Sequence, residues 1–374
     1  MNGIYKAVKH FVKKETVLSI AAVLAVLSML VVPPGPAYAD YIDTRVLALL
    51  FCLMLVVAGW EKAGVFSSLG RRLEGRMKTA RGLTVVLVLL CFSTSMVITN
   101  DVALITFVPF TIVVLGTGRD VIFTVVMETI AANLGSMLTP IGNPQNLYLF
   151  SLSKMTAGEF LETMLPLSVI SLLVLLLLTT SHRYKEPLME RQALSGGESM
   201  KFIKEPCFYL VTVLFLICLG NVFHLISYPV VFLIVSAVIL LTDRTLFARV
   251  DYSLLLTFVC FFIFIGNIGS ISWVRDGLSD LIAGRELFLG VAMSQIISNV
   301  PAAMLLSKFT LDYRNLLWGV NIGGLGTMIA SMASLISYRC YVHTEQPQKG
   351  VYVKIFTGYN ILFLFILCVV AWIL

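Results

Sequence analysis

Charge is scarce in this sequence: Asp, Glu, Lys and Arg make up only 13% of its 374 residues. A soluble domain carries about twice that share, so water is the wrong solvent for most of the chain. Histidine is nearly absent, and its four copies (His10, His182, His224, His343) are scattered near the ends of apolar runs, which leaves no metal cluster to build. The seven cysteines never form a C-x-x-C and mostly sit inside apolar runs, so they read as small hydrophobes rather than a zinc site or disulfide framework. No H-E-x-x-H occurs and no nucleophile clusters with a base, which disfavours a membrane enzyme. No filter-like motif of a channel is present either.

What the chain has is apolar length. It is 58% hydrophobic, with mean hydropathy +0.93, and no hydrophilic stretch is long enough to fold alone. Apolar runs cover Val17–Val32, Val46–Trp60, Leu165–Thr179, Phe208–Phe223, Val230–Leu241, Leu254–Ile271 and Val353–Leu374. Ala37-Tyr38-Ala39-Asp40 has the form of a signal-peptide cleavage site. Cleavage there would leave only span after span, so the first run is expected to be retained as a span.

Between these runs lies a stretch that a lipid-facing helix would exclude. It begins Thr99-Asn100-Asp101, passes Glu128 and Asn133, and ends Thr139-Pro140-Ile141-Gly142-Asn143-Pro144-Gln145-Asn146. Backbone groups freed at membrane depth are tolerated only where protein buries them or a polar cavity meets them. Apolar arms on both sides of Thr99-Asn100-Asp101 read as too short to span comfortably, since crossing takes about 20 residues; they predict a re-entrant hairpin over 83–115. A broken helix follows over 121–150.

The second half repeats the plan. Asn133, Gly135, Thr139, Gly142, Asn143 and Asn146 align without a gap on Asn321, Gly323, Thr327, Ala330, Ser331 and Ser334. A second tip, Ser298-Asn299, stands upstream in a hairpin over 287–309, and the second broken helix covers 316–336. Charge gives an independent reading. With the N-terminus inside, all of the 27 Lys and Arg except Arg45, Lys154, Arg275, Arg285, Lys308 and Arg314 fall on one side, as the positive-inside rule requires. The net +6 therefore reflects orientation and not nucleic acid. The same topology places the C-terminus outside, in the cytoplasmic membrane, and makes the halves inverted copies, a plan common among secondary transporters.

The expected fold is an all-α polytopic membrane protein of two inverted-topology repeats, with about nine spans plus two hairpins. Residues 1–43 form a first span and outer loop, 44–180 the first repeat, 181–205 a cytoplasmic linker and 206–374 the second repeat.

Ala58-Gly-Trp-Glu-Lys-Ala-Gly64, the tip Thr99-Asn100-Asp101, the loop Thr139 to Asn146, and Ser298-Asn299-Val-Pro-Ala with Gly326-Thr-Met-Ile-Ala330 carry a resemblance. From residue 44 onward the chain resembles the ion transporter superfamily, and within it the anion permeases of the citrate and divalent-anion/sodium symporter group, together with the arsenite permeases. The resemblance implies a homodimeric elevator-type carrier. By position, Thr99, Asn100, Asp101, Gly142 and Asn143 would form one half-site, and Ser298, Asn299, Ala330 and Ser331 the other. Asn100, Asp101, Gly142 and Asn299 are the candidate Na⁺ ligands. The symporters' Ser-Asn-Thr tips appear here as Thr-Asn-Asp and Ser-Asn-Val, and the first is closer to the arsenite permeases.

From the chemistry of the residues, Asn133, Thr139, Asn146, Asn321, Thr327 and Ser334 join the expected site. Asp101, and less directly Glu128, are candidate proton carriers, because a carboxylate at membrane depth is expensive unless protonated or paired with a cation. No cofactor beyond a coupling Na⁺ or H⁺ is expected. The expected function is carriage of a small anion, a dicarboxylate or inorganic oxyanion. Arsenite or metalloid efflux and Na⁺/H⁺ antiport are the alternatives, and the choice of substrate, coupling ion and direction stays open.

Overall fold

The computed structural model of the chain describes residues 15–65, 79–116, 118–184, 206–223, 225–344 and 346–374. Lys6, Lys9, Lys13, Lys14, Arg71, Arg72, Arg76, Lys78 and nearly all of the expected 181–205 linker lie outside the described residues. The described residues are helical. The α-helices are α1 (Thr16–Val31), α2 (Tyr38–Tyr41), α3 (Thr44–Lys62), α4 (Ala80–Ile98), α5 (Asn100–Leu115), α6 (Arg119–Ser136), α7 (Pro144–Ser153) and α8 (Ala157–Ser181). They continue with α9 (Pro206–Val222), α10 (Tyr228–Thr242), α11 (Tyr252–Ser270), α12 (Ser272–Ile282), α13 (Glu286–Ile297), α14 (Asn299–Leu306), α15 (Tyr313–Ile322), α16 (Met332–Val342) and α17 (Lys349–Ile373). A 3₁₀ turn, Arg244–Arg249, precedes α11.

Five of these helices, α3, α4, α8, α11 and α17, are long and apolar enough to cross a membrane. The apolar helices α1, α5, α9, α10 and α13 are shorter. Leu30, Leu177, Leu241 and Trp372 stand exposed on helix faces, a surface that a soluble monomer rarely carries and that lipid covers. The arm expected at 83 starts earlier, because Thr79 Oγ1 accepts the Gly82 N–H as an N-cap. The resulting 19-residue helix is not too short to cross. The run expected from 165 also starts early: Thr156 and Glu159 form a capping box that carries the polar first turn into α8.

The chain divides into two compact units. One comprises Met1–Ala58, Leu214–Arg285 and Met304–Leu311. Here α1 lies along α11, and the buried Asn267 donates from Nδ2 to Ser28 Oγ at 2.9 Å and to Tyr38 Oη at 2.8 Å. Tyr38 Oη in turn donates to the Val32 carbonyl at 2.7 Å, so residues on both sides of the expected Ala-Tyr-Ala motif are tied together.

The other unit comprises Gly59–Val213, Glu286–Ala303 and Asp312–Leu374. Its axis is α6, in which every residue from Asp120 to Ser136 is buried. Helices α4, α5, α8, α16 and α17 surround it. Gly135 permits the tightest of these approaches, since a Cβ there would sit 2.1 Å from the Phe92 carbonyl oxygen of α4. Helix α15 packs likewise against α13.

Candidate functional site

Every expected site residue falls within the second unit. The site begins at two chain reversals. Helix α4 ends at Ile98 and α5 starts at Asn100, with Thr99 between them at φ 76°. Helix α13 ends at Ile297 and α14 starts at Asn299, with Ser298 between them at φ 75°. The left-handed region disfavours side-chain-bearing residues, above all a β-branched one, so both tips hold a backbone that their surroundings must over-determine. Part of that hold is visible. The Asn100 N–H donates to the Gly142 carbonyl at 3.2 Å, and the Asn299 N–H donates to the Ala330 carbonyl at 2.9 Å.

Those carbonyls belong to the broken helices. Helix α6 stops at Ser136 and α7 resumes at Pro144; α15 stops at Ile322 and α16 resumes at Met332. In the first break, Asn146 Nδ2 donates to the carbonyls of Ser136, Met137 and Thr139 at 3.1–3.3 Å. In the second, Gln295 Nε2 reaches from α13 to the carbonyls of Gly323 and Leu325, both at 2.9 Å, and its Oε1 accepts the Thr327 N–H. The threonines act alike: Thr139 Oγ1 donates to the Met96 carbonyl, and Thr327 Oγ1 to the Gln295 carbonyl at 3.3 Å. Both tie the breaks to hairpin backbone and neither joins the central amides. Gln295→Leu leaves three backbone groups without these partners. At about 1–3 kcal/mol for each one stranded in the interior, a clearly lowered melting temperature of the purified protein is the expected result.

The centre is a chain of asparagines whose amide orientations are dictated by backbone. The Asp101 N–H fixes Asn100 Oδ1 as acceptor at 3.0 Å, so Asn100 Nδ2 donates to Asn133 Oδ1 at 3.1 Å. Ser331 Oγ donates to the same oxygen at 3.0 Å. The Asn146 N–H fixes Asn143 Oδ1 at 2.9 Å, so Asn143 Nδ2 donates to Asn321 Oδ1 at 3.2 Å and to Ser136 Oγ at 3.2 Å. Asn321 Nδ2 donates to Asn146 Oδ1 at 2.7 Å. The loop after each break thus bonds the asparagine before the other break: Asn143 to Asn321, and Ser331 to Asn133.

Asp101 is half-buried in the first turn of α5, beside Asn100. Glu128 is fully buried midway along α6, where Thr111 Oγ1 donates to its Oε1 at 2.6 Å; it is not joined to the asparagine chain. Ser298 Oγ lies 3.4 Å from the Ala330 carbonyl oxygen and 3.5 Å from Asn299 Oδ1. Among the described residues no three His, Cys, Asp or Glu side chains gather as a metal site. A small cation would instead rely on hard neutral oxygens: Asn100 Oδ1 and the Gly142 carbonyl beside Asp101 at one tip, Ser298, Asn299 and Ala330 oxygens at the other. Gln295 and Ser136 were missed by the sequence reading. Gln295 had a signal, being the one long polar side chain in the arm 287–297, whose other polar residue is Ser294.

Apolar helices long enough to cross a membrane, around a buried polar seam, define a multi-pass membrane protein. The chain belongs to the citrate transporter family, whose model matches residues 11–336. It is 31% identical over 304 residues to an uncharacterized transporter of Methanocaldococcus jannaschii, covering 80% of this chain and 81% of that protein. It is 33% identical to the inner membrane protein YbiR of Escherichia coli, covering 80% of each. A shorter match, 32% over 47% of this chain and 37% of the relative, is to a silicon efflux transporter of Oryza sativa.

Proposed function

We propose that the protein is a secondary carrier of a small anion, a dicarboxylate or inorganic oxyanion, built from two inverted repeats and coupled to Na⁺ or H⁺ through Asp101. The observation that carries this is the reciprocal pair of bonds, Asn143 to Asn321 and Ser331 to Asn133, which joins the two helix breaks into one polar seam. Matched tips add support: φ 76° at Thr99 and φ 75° at Ser298, each followed by an Asn whose N–H meets the break of its own half. Discontinuous helices at the midplane of inverted repeats are where such carriers bind solute. An elevator motion of the unit that holds the site, in a homodimer within the cytoplasmic membrane, completes the reading. The first tip's Asn-Asp and the rice silicon efflux relative favour a second reading, metalloid efflux on the same scaffold.

Counterflow in proteoliposomes tests the class, because only a carrier, loaded inside with unlabelled solute, transiently concentrates labelled solute against its own gradient. Uptake of citrate, succinate, sulfate and arsenite under separate sodium and pH gradients then tests substrate and coupling. Exchange of none of the four overturns the anion reading, and exchange of arsenite alone selects the second one.

A further inference from the structure

Among the described residues, Ser334 and Asn133 are two places where the polar seam is incomplete. In the aligned halves Asn321 corresponds to Asn133, and Asn146 to Ser334. Asn321 Nδ2 donates to Asn146 Oδ1 at 2.7 Å. The corresponding bond would run from Asn133 Nδ2 to residue 334, but a serine hydroxyl, carried directly on Cβ, stops one bond short of where an asparagine oxygen reaches. Asn133 is 5% exposed and Ser334 is 0% exposed, yet Asn133 Nδ2 and Ser334 Oγ both lack a hydrogen-bond partner among the described residues. Buried polar groups are almost always paired, and two unpaired ones at related positions point to a ligand.

The sign of that ligand follows from the network. Asn133 cannot be flipped: the Asp101 N–H fixes Asn100, Asn100 Nδ2 then requires Asn133 Oδ1, and Ser331 Oγ donates to that same oxygen. The unpaired atom is therefore an N–H₂, which donates and cannot ligate a cation. Helix α16 adds to it. Its N-cap Ser331 donates its hydroxyl to Asn133 and makes no side-chain cap bond; the Ser334 N–H turns back to the Ser331 carbonyl at 3.1 Å, which leaves the N–H groups of Met332 and Ala333 at the positive end of the helix dipole without a side-chain cap. The first break differs, since Asn143 caps α7 and Asn146 closes on Asn321.

We propose that an oxygen of the transported anion is held by Asn133 Nδ2, the Ser334 hydroxyl and the first turn of α16, and that the equivalent place at the first break, closed by Asn146, is structural. This assignment rests on the anion-carrier reading and makes the two half-sites unequal. A carboxylate or inorganic oxyanion satisfies both donors, whereas Na⁺ satisfies neither the amide nor the helix end.

The test is the melting temperature of the purified full-length protein with citrate, succinate or sulfate, each against chloride at equal ionic strength. In the unaltered protein at least one of the three raises it. Ser334→Ala removes an unpaired buried hydroxyl, and Ser334→Asn supplies the oxygen that Asn146 provides in the other half. Both variants are expected to melt without anion at or above the unaltered temperature and to lose the anion-induced rise. Asn146→Ser, which copies the gap into the first break, is expected to melt lower and keep the rise. If the rise survives in both Ser334 variants, the subsite is overturned and the anion reading stands. If both variants melt below the unaltered protein, Ser334 is a structural hydroxyl and the subsite is likewise overturned. If none of the three anions shifts the unaltered protein, the anion reading falls and the subsite falls with it.

Discussion

Asp101→Asn is expected to abolish gradient-driven accumulation in proteoliposomes, bringing internal solute down to the level set by equilibration alone. The carboxylate is half-buried in the first turn of α5, next to the asparagine that opens the central network. A carboxylate there is stabilised by the helix N-terminus, but at membrane depth it also calls for a proton or a cation. Asparagine keeps the shape and the hydrogen-bonding oxygen and removes the charge. One coupled charge moving through 100 mV supplies about 2.3 kcal/mol, which corresponds to roughly 50-fold accumulation at about 1.4 kcal/mol per tenfold. That whole factor is what the substitution is expected to remove. Asp101→Glu retains a charge one carbon further out and is expected to keep part of it. Accumulation by Asp101→Asn at the unaltered level would show that Asp101 serves the tip's backbone and not the coupling ion.

The breaks and tips were legible because their residues conflict with their surroundings. Asn, Gly and Pro within apolar runs mark where a helix cannot continue, and the structure stops α6 at Ser136 and resumes at Pro144 within the expected 121–150. Thr99 and Ser298 fall at the expected tips to the residue. Helix ends were less legible. Hydropathy stops where polar residues start, while a capping residue such as Thr79 or the Thr156–Glu159 box lets the helix run on. Partnerships across helices carried no sequence signal. Thr111 meets Glu128 because α5 packs on α6, and nothing in either segment alone implies it. Gln295 spans to the second break for a reason that emerges only when the halves are compared: Ser334 is too short to do what Asn146 does, so the second break's carbonyls are served from α13 instead.

Gly142→Ala is expected to have a large effect on folding. A Cβ at this position would lie 2.1 Å from the Ser136 carbonyl oxygen and 2.8 Å from both Cα and C of the same residue. Those atoms are backbone at the end of α6, and the carbonyl accepts from Asn146, so they cannot swing aside as a flexible side chain would. Added volume against a packed interior costs about 1–3 kcal/mol, and more where nothing yields. The damage also spreads. Gly142 offers its carbonyl to the Asn100 N–H, and its neighbour Asn143 makes the bond to Asn321, so moving residue 142 loosens the first tip and the link between the breaks together. The purified variant is expected to melt well below the unaltered protein and to show no counterflow. Ala330 supplies the control, because it occupies the aligned position, is fully buried, and already carries the methyl group. Ala330→Gly is expected to cost only about 1 kcal/mol from added backbone freedom and to keep exchange. If Gly142→Ala exchanged solute normally, the 137–143 loop would have to shift by more than an ångström without loss. The tip bond between Asn100 and Gly142 could then not be what positions Asp101.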